Sequence, residues 1–267
     1  MTSPSFSAPL PTSVSVSDGA PPTPEQAEPA GSARTGVASK RDVVVGVLAL
    51  QGDVREHIAT IVSLGGRAMP VRRASELAAI DGLIIPGGES TTMDKLTRAV
   101  GLAEPLRAMI RDGMPVFGSC AGMIMLADVV ADPSNDRFGN PQRTLGGLDM
   151  VVRRNAFGRQ RESFETNVSF SELAATGDAG AEDPVRAVFI RAPWVEKVGD
   201  DVEILAQVPA SATPQAGPSD GTGTGLEPVA RIVAVRSRNL LATSFHPEVT
   251  GERRVHELFI RMIRGEA

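Results

Sequence analysis

Apolar and polar positions fall into blocks along this chain, and each block has a period. From Val43 to Leu50, VVVGVLAL is a continuous apolar run rich in β-branched residues, the pattern of a strand buried on both faces. The next stretch, VREHIATIVSLGG, puts Ile58, Ile61, Val62 and Leu64 at helical spacing and closes on glycine. RAMPVRR predicts a short second strand, and GLIIPGGES a third that runs into a glycine turn. TTMDKLTRAVGL then predicts a helix. MPVFGSCAG repeats the strand and turn, with MIMLADVVA as the helix after it. Strands and helices in alternation predict an α/β fold with a mainly parallel sheet.

The second half favours strands: LGGLDMVVRR, ESFETNVSF, VRAVFIRAP, VEILAQV, VARIVAVRS and NLLATSF. The chain closes on GERRVHELFIRMIRG, where Val255, Leu258, Phe259 and Met262 mark the apolar face of a helix. ADPSNDRFGNPQRT predicts a surface loop, and PASATPQAGPSDGTGTGLEP a low-complexity insertion covering about residues 209–227. Residues 1–42 carry no period at all. They are rich in Ser, Pro and Ala, lack the bulk to bury a core, and predict a disordered extension ahead of one domain over 43–267. No basic start and apolar stretch is present, so a secretory signal is not expected.

Composition narrows the classes. A net charge of −5 argues against general affinity for nucleic acid or anionic membrane. No apolar run reaches the length of a bilayer span. Tyrosine is absent and there is one Trp, so stacking platforms for single-stranded nucleic acid are scarce. A single cysteine excludes an intramolecular disulfide and a multi-cysteine metal site, and fits a cytoplasmic setting. Neither a metal nor a cofactor is expected.

That cysteine, Cys120, stands in G-S-C-A-G between a strand and a helix, the form of a nucleophile elbow. Gly118 and Gly122 allow close approach around the turn. The helix N-terminus favours the thiolate and offers N–H groups to an oxyanion. A small buried hydrophobe is the plainer reading of a free cysteine. A thiolate needs a base. His57 and His256 lie in helices among charged residues and are expected to be partly solvated. His246 follows the strand NLLATSF, so it shares the carboxyl edge of a parallel sheet with Cys120. Glu248, two residues on and stiffened by Pro247, can fix the imidazole tautomer. Pro86–Ser90, PGGES, is another glycine corner, suited to an oxyanion or a carboxylate; the plainer reading is a turn with Ser90 as N-cap.

LALQGDVREH, PGGESTTM, FGSCAGMI, RRNAFGRQ, FIRAPW and SFHPEVT, in that order, resemble the PdxT family of glutaminase subunits of pyridoxal 5′-phosphate synthase. The resemblance runs from about Val43 to the C-terminus. It implies a three-layer α/β/α sandwich of the class I glutamine amidotransferase type and hydrolysis of L-glutamine to glutamate and ammonia. It implies Cys120 as nucleophile, His246 as general base and acid, and Glu248 as the residue orienting it. Gly88, Glu89, Ser90, Arg154, Ile190 and Arg191 match the family's glutamine contacts, with Gly88 and Ala121 N–H groups as oxyanion hole. It further implies a partner, the (β/α)₈ synthase subunit PdxS, in a complex of twelve plus twelve subunits that switches the glutaminase on. A glutaminase of the histidine or GMP pathway shares the triad, and a non-catalytic protein on a related fold shares the elbow; GGESTTM, RNAFGRQ and FIRAP favour the vitamin B6 branch.

Overall fold

Nine strands follow one another across the main sheet of the computed structural model, which describes residues 42–154, 163–174, 184–209 and 230–267. The expected extension over 1–42, apart from Asp42, and the insertion at 209–227, apart from Pro209, lie outside the described residues, as does the NAFGRQ part of the arginine motif. All the described residues belong to one compact unit, Arg41–Ala267.

The first half follows the alternation. Its elements are β1 (Val44–Leu48), α1 (Val54–Ser63), β2 (Arg67–Val71), a 3-10 turn (Ala74–Ala79), β3 (Gly82–Ile85), α2 (Ser90–Ala99), α3 (Ala103–Arg111), β4 (Val116–Ser119) and α4 (Ala121–Leu126). The second half adds β5 (Ala127–Val130), β6 (Leu148–Arg153), β7 (Phe164–Val168), α5 (Ser171–Ala174), β8 (Val185–Phe189), β9 (Trp194–Val198), β10 (Glu203–Val208), β11 (Arg231–Ser237), β12 (Leu240–Thr243), α6 (Pro247–Thr250) and α7 (Arg254–Arg264). The sheet order is β2-β1-β3-β4-β12-β11-β9-β6-β5, with β10 also on β11 and a separate β7–β8 pair. From β2 to β12 every pairing is parallel; β11 then turns antiparallel to β12.

Side-chain alternation along the strands divides the core in two. Val45, Val47, Ile84, Phe117 and Leu241 face one side, where α1 and α7 cover them through Ile61, Leu258 and Phe259. Leu83, Ile85, Val116, Leu240 and Ala242 face the other, against Met93 of α2, Leu106 of α3 and Met123 of α4. Helices thus sandwich the sheet, as expected for the three-layer class.

Four local expectations are corrected. MIMLADVVA is not one helix: α4 stops at Leu126, and Ala127–Val130 is a strand parallel to β6, because pairing with Val151 and Val152 suits β-branched Val129 and Val130 better than another helical turn. α3 and β9 are not among the predicted elements, although α3 is clearly amphipathic and buries Ala103, Leu106 and Ile110. In α1 the buried face is His57, Thr60 and Ile61, while Val62 is 57% exposed. His57 and His256 are both 0% exposed. Their charged neighbours in sequence point elsewhere, since adjacent helical residues do not share a face.

Candidate active site

The parallel strands β1, β3, β4 and β12 lie side by side and end on the same edge. Each motif turn follows one of them, so the sheet collects Asp53, the PGGES corner, Cys120 and His246. Register makes this close: Gly118 pairs with Ala242 and Ser119 with Thr243, one step before the elbow. The Cys120 N–H then donates to the Thr243 carbonyl at 2.8 Å.

The elbow is sharp. Cys120 has φ +48° and ψ −101°, a conformation outside the ordinary range for a residue with a Cβ. A Cβ on Gly122 would lie 2.1 Å from the Ile85 carbonyl oxygen, and one on Gly118 would lie 2.5 Å from the Gly122 backbone. Only glycine lets α4 come this near to β3 and β4. Ala121 opens α4, so its N–H belongs to the helix end that has no intrahelical partner.

His246 is the N-cap of α6, with Pro247 at its first position. Its N–H donates to the Val188 carbonyl at 3.2 Å, which ties it to β8. Nδ1 is 2.9 Å from Glu248 Oε1 and 3.3 Å from Asp53 Oδ2. That leaves Nε2 as the ring nitrogen available to Cys120, which lines the same cavity. Burial pulls the imidazole pKa down, but the bonds to Asp53, Cys120 and Glu248 outweigh this and push it up to about 12. His246 is therefore an imidazolium near neutral pH. A charged partner of this kind stabilises a thiolate beside it.

Burial raises the Glu248 carboxyl above its usual range, against the opposing bond from His246. Asp53 is held below the usual range, chiefly by its bond to His246. Asp53 occupies the N-cap of α1 without capping it, because its carboxylate is turned toward His246. Asp53, His246 and Glu248 bring ligand atoms within 4.8 Å of one another, a spacing that a metal could use. Their hydrogen bonding to one another accounts for the cluster without one.

A cavity of about 360 Å³ opens beside Cys120 and His246. It is lined by Gly88, Glu89, Ser90, Arg154, Ile190 and Arg191, the six residues expected to hold glutamine. Asp53 and Ile124 also line it, and nothing in their spacing marks them beforehand. Glu89, not Ser90, caps α2: its carboxylate accepts from the N–H groups of Thr91 (3.2 Å) and Thr92 (2.6 Å). Ser90 is the first helical residue, and its hydroxyl donates to Gln142 Oε1 at 3.3 Å. Gln51 is a further support, accepting from the Glu89 N–H at 3.1 Å. Arg154 reaches Glu89 at 3.4 Å and bonds Ser134, while its N–H donates to Asp132 at 2.9 Å. Gly87 has a steric reason: a Cβ there would lie 2.3 Å from His246 Cε1.

The chain as a whole is similar to other proteins. "Pyridoxal 5′-phosphate synthase subunit PdxT" of Arthrobacter sp. (strain FB24) is 62% identical over 227 residues, covering 84% of this chain and 93% of that one. The protein of the same name from Paenarthrobacter aurescens (strain TC1) is also 62% identical, over 224 residues, covering 84% and 93%. A crystal structure described as a glutamine amidotransferase superposes with a TM-score of 0.64 at 38% identity, covering 82% of this chain and 98% of the other. A sequence model of the SNO glutamine amidotransferase family matches residues 47–265, which takes in every motif turn on the carboxyl edge of the sheet. The chain belongs to that family.

Proposed function

We propose that this chain is the glutamine-hydrolysing subunit of a pyridoxal 5′-phosphate synthase. The observation that carries the reading is the meeting of Cys120 and His246 at one cavity, with Glu248 on the far nitrogen of the imidazole. The 62% identity to two PdxT subunits supports the vitamin B6 branch over a glutaminase of another pathway.

The chemistry follows from the positions. The Cys120 thiolate attacks the side-chain amide carbon of glutamine, forming the C–S bond. Negative charge moves to the amide oxygen, which faces the N–H groups of Gly88 and Ala121. The His246 imidazolium passes its Nε2 proton to the leaving nitrogen, and ammonia departs as the C–N bond breaks. The neutral imidazole then takes a proton from water, and the hydroxide attacks the thioester. The C–S bond breaks, glutamate leaves, and the thiolate and imidazolium are restored. Glu248 holds Nδ1–H throughout and stabilises the imidazolium. Arg154 and Arg191 offer bidentate partners for the substrate α-carboxylate. Glu89, Ser90 and Ile190 complete the pocket.

The ammonia goes to a (β/α)₈ synthase subunit of the PdxS type, in a complex of twelve plus twelve subunits in the cytoplasm. No helix among the described residues is long and apolar enough to cross a membrane. The test is glutamate release from L-glutamine, measured with and without the barrel subunit. Release is expected with the partner, and Cys120→Ala should lower it by a factor on the order of 10⁴ or more while keeping the fold. Turnover surviving in Cys120→Ala would remove the covalent mechanism.

A further inference from the structure

Beneath the cavity lies a second polar cluster that the mechanism above does not use. His57, on α1, is fully buried and does not line the cavity. Its Nε2 stands 3.5 Å from Glu248 Oε1, the same oxygen that accepts from His246, and 3.2 Å from Ser119 Oγ. Its Nδ1 is 2.8 Å from Nε2 of His256, on α7. Both rings pack edge-on to Phe117. Glu248 Oε2 is buried without a hydrogen-bond partner among the described residues. Apart from its own backbone N–H, the carboxylate therefore depends on the groups that meet Oε1.

We propose that His57 is a positioning residue for the glutaminase reaction: its Nε2–H holds the Glu248 carboxylate that orients His246, and His256 fixes which nitrogen of His57 carries that hydrogen. The role rests on the glutaminase reading of the site.

The hydrogen bookkeeping favours one arrangement. A neutral imidazole has a single N–H. Burial, together with the charges of His256 and His246, lowers the pKa of His57 well below its usual value, so the ring is neutral. Burial likewise lowers His256, to about 4. Exactly one hydrogen lies between His57 Nδ1 and His256 Nε2. If His256 supplies it, His57 carries its hydrogen on Nε2, facing Ser119 and Glu248, and His256 Nδ1 is a bare acceptor. The Glu252 backbone carbonyl and carboxylate act on the His256 ring and offset part of the lowering by burial, but neither stands in hydrogen-bonding geometry at Nδ1. The opposite tautomers would leave a buried N–H at that atom with only the poorly aligned Glu252 carbonyl to meet it, and would turn a lone pair of His57 toward the Glu248 anion, offset only by the Ser119 hydroxyl. Orphaned buried donors are rarer than orphaned acceptors. The groups facing Glu248 are then His246 from the β12–α6 turn, His57 from α1 and Asp53 from the β1–α1 turn, whose charge opposes ionisation. Removing the His57 N–H leaves the carboxylate less stabilised, so it protonates at a higher pH.

Two readouts test this in the full chain. Nitrogen-15 NMR of histidine-labelled protein at neutral pH should show both His57 and His256 protonated on Nε2. Glutamate release with the barrel subunit, from about pH 5 to about pH 9, should show His57→Leu lowering kcat about tenfold or more, with KM within about twofold. The acid limb of the profile should move to higher pH. His57→Gln, which can place an N–H where Nε2 was, should recover most of the loss. If His57→Leu does not fold, the NMR and the Gln variant decide. His57 protonated on Nδ1 in an active wild type, or equal losses in both variants with an unmoved acid limb, overturns the positioning role alone. No glutamate release by wild type with its partner overturns the glutaminase reading and the role with it.

Discussion

At the scale of the residue, the charge states at this edge of the sheet come from burial set against partners. His246 is buried yet charged, because Asp53, Cys120 and Glu248 surround it. His57 and His256 are buried and neutral, because burial outweighs what their polar contacts offer: each other, Ser119, the Glu248 carboxylate 3.5 Å from His57, and Glu252 beside His256. The two cases have opposite linkage. His246, raised, adds stability that is complete below the unfolded value near 6.5 and lost as pH rises toward about 12. His256, lowered to about 4, costs stability as pH falls from about 6.5, where the unfolded ring gains a proton and the folded one does not. Relative to His256→Gln, the wild type should therefore lose about 3 kcal/mol between pH 7 and pH 4. Urea unfolding of the pair at both pH values checks it, and a gap that stays constant would show that His256 is charged in the folded protein.

At the scale of the element, strand-to-helix turns with no spare volume build the site. Gly122 admits no side chain because the Ile85 carbonyl occupies the space. Gly122→Ala must push α4 away from β3, and should destabilise the fold by about 1–3 kcal/mol. Since Cys120 sits at the head of the same helix, glutaminase turnover should fall by more than the change in folded fraction explains. Denaturant unfolding beside a glutamate-release assay separates the two, and a full-rate, full-stability variant would contradict the steric account. These turns were legible in the sequence because glycine beside a polar residue, after an apolar run, has few structural uses. Asp53 was not legible. Nothing local says that an N-cap aspartate will turn from its own helix toward an imidazole 193 residues away. The split of MIMLADVVA into α4 and β5 was hidden for a similar reason, since its cause is a pairing with β6.

At the scale of the whole molecule, the carboxyl edge of the sheet supplies the pocket. The family match begins at residue 47, and the motifs begin at Leu48. Deleting residues 1–40 should leave partner-stimulated glutamate release within about twofold of the full chain, because no motif lies there. Steady-state kinetics of the truncated chain with the barrel subunit measure this, and a large loss would assign the extension a part in docking.

The sequence by itself determined the alternation of strand and helix, the corners where polar atoms stand free, and the residue types a thiol-based hydrolysis requires. These depend on period, backbone sterics and side-chain chemistry, all of which act over a few residues. The parallel register of β1, β3, β4 and β12 was decided only in three dimensions, and with it which corners meet. So was the fate of the other two histidines. Their charged neighbours suggested solvent, and the packing of α1 and α7 over Phe117 placed them under the site instead. Burial is a property of the assembled layers, and it alone separates a solvated histidine from one held neutral against a carboxylate.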